Sequence, residues 1–137
     1  MKVLVATDGS EHSMKAVMRA LELAELEGAE VGLISVAYYV REDLDEMPLG
    51  IQERLETEAK ASLDKAKAIF DGKGIAVEAF LEAGFVPANN IVERARKGGY
   101  DLILLGSTGT SALKNVVIGS TAAKVSAHAP CSVGVIR

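Results

Sequence analysis

The chain has no tryptophan, one cysteine, two histidines and three prolines among its 137 residues. Each scarcity removes a class of protein. Cys131 alone forms no intramolecular disulfide, and no Cys or His stands at metal-ligand spacing from it, so the usual zinc and redox motifs are excluded. Aromatic residues make up only 4% against 49% hydrophobic residues in all, which makes the core aliphatic. Apolar runs such as Leu102 to Leu105 fall far short of the roughly 18 residues of a membrane span. Met1-Lys2 leads straight into a strand-like run and not into a signal peptide, so the expectation is a soluble cytoplasmic protein with no membrane partner. A mean hydropathy of +0.21 with 25% charged residues excludes a disordered chain. The length is that of one domain, 1–137.

An excess of positive charge is also missing. Fifteen Lys and Arg against nineteen Asp and Glu give a net charge of −4, which argues against nucleic acid as a partner. The charge is unevenly spread. Residues 41–58 hold seven acids against Arg41 and Arg54, for a net of −5, and the remainder sums to +1. This segment reads as solvated surface, or as a lid or partner-docking loop beside a site. Beyond Asp101 there is no acid at all, so an anion would meet little repulsion along the last 36 residues.

What is present is a regular alternation. Val3 to Ala6 is a short buried strand ending in Thr7-Asp8-Gly9-Ser10, with Ser10 as helix cap, and Met14, Val17, Met18, Leu21 and Ala24 then recur at helical spacing up to Gly28. Val31 to Val36 is a second buried strand. After the acidic stretch a helix starts near Ile51, with Leu55, Ala59, Leu63, Ala66 and Phe70 on one side, and Gly72 and Gly74 stop it. Residues 75–82 alternate as a third strand with a polar contribution on one face, which places it near a sheet edge. Pro87 opens a third helix, 101–105 is a fourth strand, a last helix runs from about Ser120 to His128, and Ser132 to Ile136 is a fifth strand. This order predicts a doubly wound α/β fold, a five-stranded parallel sheet with helices on both faces. Ligands of such sheets bind beyond the carboxyl ends of the strands, which directs attention to the loops after the first and fourth strands.

The second of those loops reads GSTGTSALKNVVIGST. Gly106 and Gly109 let backbone approach a ligand closely with amide N–H groups free for phosphate oxygens, and Gly119-Ser120-Thr121 opens a helix whose N-terminal amides and dipole attract an anion. There is no Gly-Lys-Ser/Thr, no G-x-G-x-x-G after the first strand and no G-x-S-x-G, so the P-loop, the dinucleotide fingerprint and the nucleophile elbow are all absent. His12 lies in the first turn of a helix without a carboxylate or serine at diagnostic spacing and reads as a surface or capping residue. His128 suits the negative end of its helix, and Cys131 reads as a small core residue. The patch Val116-Val117-Ile118 and the terminal strand would be covered most economically in a homodimer.

Glycines spaced G-x2-G-x9-G-[ST] after the fourth strand, VATDGS at the end of the first and Gly84-x-x-Pro87 before the third helix together resemble the universal stress protein family, over the whole chain. The resemblance implies strand order 3-2-1-4-5 and a cytoplasmic homodimer paired through the last strand, Ser132 to Ile136. It also implies an ATP site of regulatory purpose, with unidentified protein partners. Carried over residue by residue, Asp8 would contact the ribose, and Ala6, Thr7 and Val36 would frame the adenine with backbone groups. Leu105 would lie against the base, and Gly106, Gly109, Gly119, Ser120 and Thr121 would hold ribose and phosphates, with Mg2+ or Mn2+ bridging the latter. Thr108 departs from the pattern, because many relatives carry Arg or His there; Lys114 is in the same loop but the motif does not place it. No positioned base or arginine finger can be named, so hydrolysis is expected to be slow at most and no residue is assigned a catalytic role. Two alternatives stand beside this reading: a nucleotide-free homodimeric interaction protein of the same fold, and an ATPase or nucleotide hydrolase.

Overall fold

The computed structural model of the chain describes residues 1–39, 50–108 and 119–137. Nine elements follow one another along these residues: β1 (Lys2–Ala6), α1 (Glu11–Glu27), β2 (Glu30–Tyr38), α2 (Ile51–Asp71), β3 (Glu78–Gly84), α3 (Pro87–Gly98), β4 (Leu102–Gly106), α4 (Ser120–His128) and β5 (Ser132–Ile136). The strands form one all-parallel sheet in the order β3-β2-β1-β4-β5.

The continuous apolar runs of β1 and β4 form because both faces of the central strands are covered. Successive side chains of β1 point to opposite faces. Val3 and Val5 pack with Ala16, Val17 and Leu21 of α1 and with Leu63, Ala66 and Phe70 of α2, whereas Leu4 packs with Ile91 and Ala95 of α3 and Val125 of α4. Phe70 is completely buried. Burying an aromatic side chain of this kind stabilises the fold by roughly 1.5–3 kcal/mol. The two helical layers are thus α1 with α2 and α3 with α4, one on each face of the sheet.

Ser10 caps α1 as expected, its hydroxyl accepting from the Ser13 amide at 3.3 Å, and Gly28 ends the helix by donating to the Ala24 carbonyl at 3.2 Å. Pro87 is in the first turn of α3, and α4 and β5 occupy the expected spans. Cys131 is half-buried against the α3–α4 core.

Three boundaries differ from the pattern. The third strand begins at Glu78, not at Ile75, because Ile75 and Val77 pack into the α1–α2 core from the connection after α2, and sheet pairing starts only at Gly32↔Glu78. β2 runs two residues past Val36, since Ala37 and Tyr38 find partners in Ala83 and Gly84. The fourth strand spans 102–106. Asp101 stands just before it, donating its amide to the Lys2 carbonyl and accepting the Lys2 amide, both at 2.8 Å. The edge position of β3 holds. Phe80 turns toward the α3 core while Leu81 remains 43% exposed, and Arg94 of α3 lies over the Phe80 ring and binds Glu82. From β1 the chain builds outward through β2 to β3, then returns to the other side of β1 for β4 and β5. The reversal opens a crevice beyond the carboxyl ends of β1 and β4.

Candidate functional site

A cavity of about 610 Å³ fills that crevice. Its floor is the ends of three central strands, Ala6 to Asp8 at the end of β1, Ile34 to Tyr38 of β2, and Leu105 to Thr108 at the end of β4. Leu55, Glu58, Ala59 and Ser62 of α2 form one wall, Pro87 and Ile91 of α3 another, and Gly119 to Ala122 at the start of α4 a third. Ala6, Thr7, Asp8, Val36, Leu105, Gly106, Gly119, Ser120 and Thr121 therefore all line one space. Gly109, Lys114, the Val116 to Ile118 patch and residues 41–49 of the acidic stretch lie outside the described residues.

The polarity of the lining is unusual for a buried surface. Among the described residues the buried polar ones are Thr7, Ser13, Ser35 and Ser107, each no more than 4% exposed, and all four line the cavity. Burial of hydroxyls is costly without hydrogen bonds, and those of Thr7 and Ser13 are bonded. The Thr7 and Ser13 hydroxyls are 3.0 Å apart, and Ser13 Oγ donates to the Ser10 carbonyl at 3.0 Å. The Gly9 amide donates to Thr7 Oγ1 at 3.2 Å. This network holds the β1–α1 turn in one shape, and the turn needs Gly9, whose φ of 80° lies in the left-handed region. Asp8 takes part in it, accepting the Ser10 amide through Oδ1 at 3.0 Å while lining the cavity. Turn formation and ligand contact are thus compatible at Asp8.

Gly106 has a structural reason of its own. A Cβ there would lie 2.6 Å from the Ser13 amide nitrogen and 2.7 Å from the His12 carbonyl carbon, so the first turn of α1 rests on this glycine. Just beyond it, Ser107 donates its amide to the Ile136 carbonyl at 2.7 Å, and its own carbonyl accepts the Gly119 amide at 2.5 Å. The second bond joins the two ends of the glycine-rich loop and brings α4 to the cavity. Gly119 caps α4 without any side-chain hydrogen bond, unlike the Ser10 cap of α1. Among the described residues no side chain caps the first amides of α4, which lie at the positive end of the helix dipole where Gly119 to Ala122 line the cavity.

No Lys or Arg lines the cavity among the described residues, whereas the carboxylates of Asp8 and Glu58 do. No group of three His, Cys, Asp or Glu able to hold a metal ion occurs among those residues. The arrangement can accept an anion through amides and hydroxyls, with an apolar slot beside it formed by Leu105, Val36, Ile91 and Leu55. Sequence reasoning missed Ser13, Ser35, Ser107 and the α2 wall. It also missed His12 Nδ1, which lies 2.5 Å from Thr108 Oγ1 across 96 residues of sequence. Among the described residues no helix is long and apolar enough to cross a membrane.

Comparison with known proteins gives a consistent answer. The profile of the Universal stress protein family matches residues 1–137. Universal stress protein MJ0531 of Methanocaldococcus jannaschii is 34% identical over 139 residues, covering 99% of this chain and 81% of that protein. Universal stress protein YxiE of Bacillus subtilis is 34% identical over 150 residues, covering 99% and 98%. Among solved structures, that of the hypothetical protein MJ0577 superposes with a TM-score of 0.85 at 28% identity, covering 98% of this chain and 94% of its own. A universal stress protein from Archaeoglobus fulgidus in complex with dAMP superposes with a TM-score of 0.75 at 24% identity, covering 100% and 98%. Another universal stress protein, in complex with cAMP, does so at 0.72 and 24%, covering 100% and 97%. At 24% identity the last two attest the fold.

Proposed function

The chain belongs to the universal stress protein family, and from that premise we propose that it is an adenine-nucleotide-binding module, one domain over 1–137 that takes ATP into the crevice beyond β1 and β4. The observation that carries this reading is the N-terminus of α4, whose cap residue Gly119 makes no side-chain hydrogen bond, at a cavity lined by four buried hydroxyl residues. A helix start at a space large enough for a nucleotide is an anion site. The apolar slot beside it suits a base. Asp8 contacts the ribose, Ala6, Thr7 and Val36 border the base, Leu105 packs against it, and Gly106, Gly109, Gly119, Ser120 and Thr121 serve ribose and phosphates. Mg2+ or Mn2+ fits the reading as an ion carried in on the phosphates, since the described residues offer no cluster of their own. That the fold accommodates such ligands agrees with the dAMP and cAMP complexes of its structural relatives.

The module acts as a cytoplasmic homodimer in a stress or regulatory response, paired through β5 and exchanging protein partners with its nucleotide state. β5 is a sheet edge whose Val133 and Val135 are only half-buried, and edges of this kind require a cover. Hydrolysis is slow, because no lining residue among those described supplies an arginine finger or a positioned base. A second reading, the nucleotide-free interaction dimer, is favoured by one observation: two carboxylates and no Lys or Arg line the cavity among the described residues.

Native purification, acid precipitation and chromatography of the supernatant test between the two. The first reading expects adenine nucleotide near one equivalent per chain, lost in the Gly119→Val, Ser120→Ala double variant. Nucleotide retained undiminished by that variant refutes the placement of the phosphates.

A further inference from the structure

We propose that His12 sets the direction of the Thr108 hydroxyl and thereby decides whether the cavity presents a phosphate with a proton or with a lone pair. This rests on the nucleotide reading of the cavity and deepens it, by naming a residue that discriminates a nucleoside phosphate from the bare nucleoside.

His12 is the second residue of α1, half-buried, and does not itself line the cavity, whereas Thr108 does. Their side chains meet at 2.5 Å, Nδ1 to Oγ1. The fold creates this contact. The absence of a side chain at Gly106 lets the first turn of α1 settle on the end of β4, where an added Cβ would lie 2.9 Å from His12 Cβ. A threonine hydroxyl has one proton to give and lone pairs to accept with. When His12 Nδ1 carries its proton, it donates to Oγ1, and the Thr108 proton is left for the cavity. In the reverse arrangement Thr108 gives its only proton to a bare Nδ1, and an anion meets lone pairs. Only the first arrangement serves a phosphate.

The direction matters because of what surrounds it. Asp8 and Glu58 line the cavity and no Lys or Arg does so among the described residues, so among these residues the donors that can meet an anion are neutral ones. Thr108 is also well placed to act with α4. The bond from the Gly119 amide to the Ser107 carbonyl, 2.5 Å, ties its neighbour to the residue that precedes that helix. Thr108 and the first amides of α4 thus share one rim of the cavity. His12 is a positioning residue here, acting through Thr108 without touching the ligand.

Isothermal titration calorimetry with adenosine and with AMP separates this role from a structural one. The variants are His12→Ala, His12→Asn, whose amide nitrogen replaces Nδ1 as donor, Thr108→Val, and the double His12→Ala, Thr108→Val; circular dichroism establishes that each is folded. A hydrogen bond to a charged group is worth enough that His12→Ala and Thr108→Val should each weaken AMP binding about ten-fold while adenosine binding changes less than about two-fold. His12→Asn should recover most of the loss, and the double variant should be no weaker than Thr108→Val alone, because both act through one hydroxyl. If His12→Ala does not fold, His12→Asn and Thr108→Val carry the comparison. Equal losses for adenosine and AMP would assign His12 to packing and overturn the proposal. So would AMP binding that is unchanged or tighter in His12→Ala, which is the signature of the reverse hydrogen bond. Wild-type protein that binds adenosine and AMP equally well refutes the phosphate contact and leaves the base site standing. Protein that binds neither overturns this inference, and a parallel ATP titration that is also flat refutes the nucleotide reading with it.

Discussion

Replacing Gly106 by alanine should destabilise the protein even with no ligand present. The added Cβ would stand 2.6 Å from the Ser13 amide nitrogen, 2.7 Å from the His12 carbonyl carbon and 2.9 Å from His12 Cβ. Two of these neighbours are backbone, which cannot rotate out of the way, so the first turn of α1 and the end of β4 must move apart by several tenths of an ångström. Overpacking of a tight interior costs about 1–3 kcal/mol, and the backbone contacts put this site at about 2–3 kcal/mol. With unfolding entropy near 2.1 cal/mol/K per residue, that loss lowers the midpoint by about 7–10 °C for a chain of this length. Gly134→Ala is the control. There the new Cβ meets only Leu104 Cδ2, at 2.6 Å, the end of a side chain that can turn aside, so a loss of about 1 kcal/mol or less is expected. Thermal unfolding followed by circular dichroism, in nucleotide-free buffer, reads both. A Gly106→Ala protein as stable as wild type would show that α1 does not rest on this glycine and that the close approach is wrongly assigned.

Two further predictions concern ionisable groups away from the cavity. Burial, followed by the nearby charge of Glu78, pushes the Tyr100 phenol above its ordinary value. The folded state then holds this proton more tightly than the unfolded chain, so the associated stability is fully present below pH about 10 and is lost as the pH rises through the raised value. Urea titrations across the alkaline range should show a decline that is shallower in Tyr100→Phe, and identical slopes would refute the assignment. Burial, followed by the charge of Asp101, likewise raises the Cys131 thiol, so little thiolate forms at neutral pH. Its reaction with a disulfide reagent should be slow in the folded protein and accelerate on unfolding; equally fast reaction in both states contradicts that picture.

Much of this architecture was legible because buried strands of a parallel sheet announce themselves as uninterrupted aliphatic runs. Val3 to Ala6, Leu102 to Leu105 and the helical spacing from Met14 to Ala24 needed no tertiary information. Boundaries set by a partner were not legible. Ala37 and Tyr38 are strand only because Ala83 and Gly84 lie beside them, and Ile75 and Val77 look like strand but are apolar because they pack beneath α2. The loop glycines and Asp8 carried a recognisable spacing, which led to most of the cavity's floor and to the start of α4. Ser13, Ser35 and Ser107 did not, since serine is ordinarily a surface residue and only the fold reveals that these are buried. Leu55, Glu58 and Ser62 reach the cavity from a helix whose position over the sheet no local pattern states. His12 and Thr108 are 96 residues apart, and the glycine that lets them meet reads in the sequence as a ligand-binding glycine.

Thermal unfolding of the native protein with and without saturating ATP and magnesium tests the central claim most directly. Ligand at 100 times its dissociation constant adds about 2.7 kcal/mol to the folded state, or about 8–10 °C in the midpoint for a chain of this size. The account predicts that rise, and its absence in the Gly119→Val, Ser120→Ala protein. A midpoint that stays put for wild type at millimolar ATP would contradict it and leave the cavity to the nucleotide-free dimer.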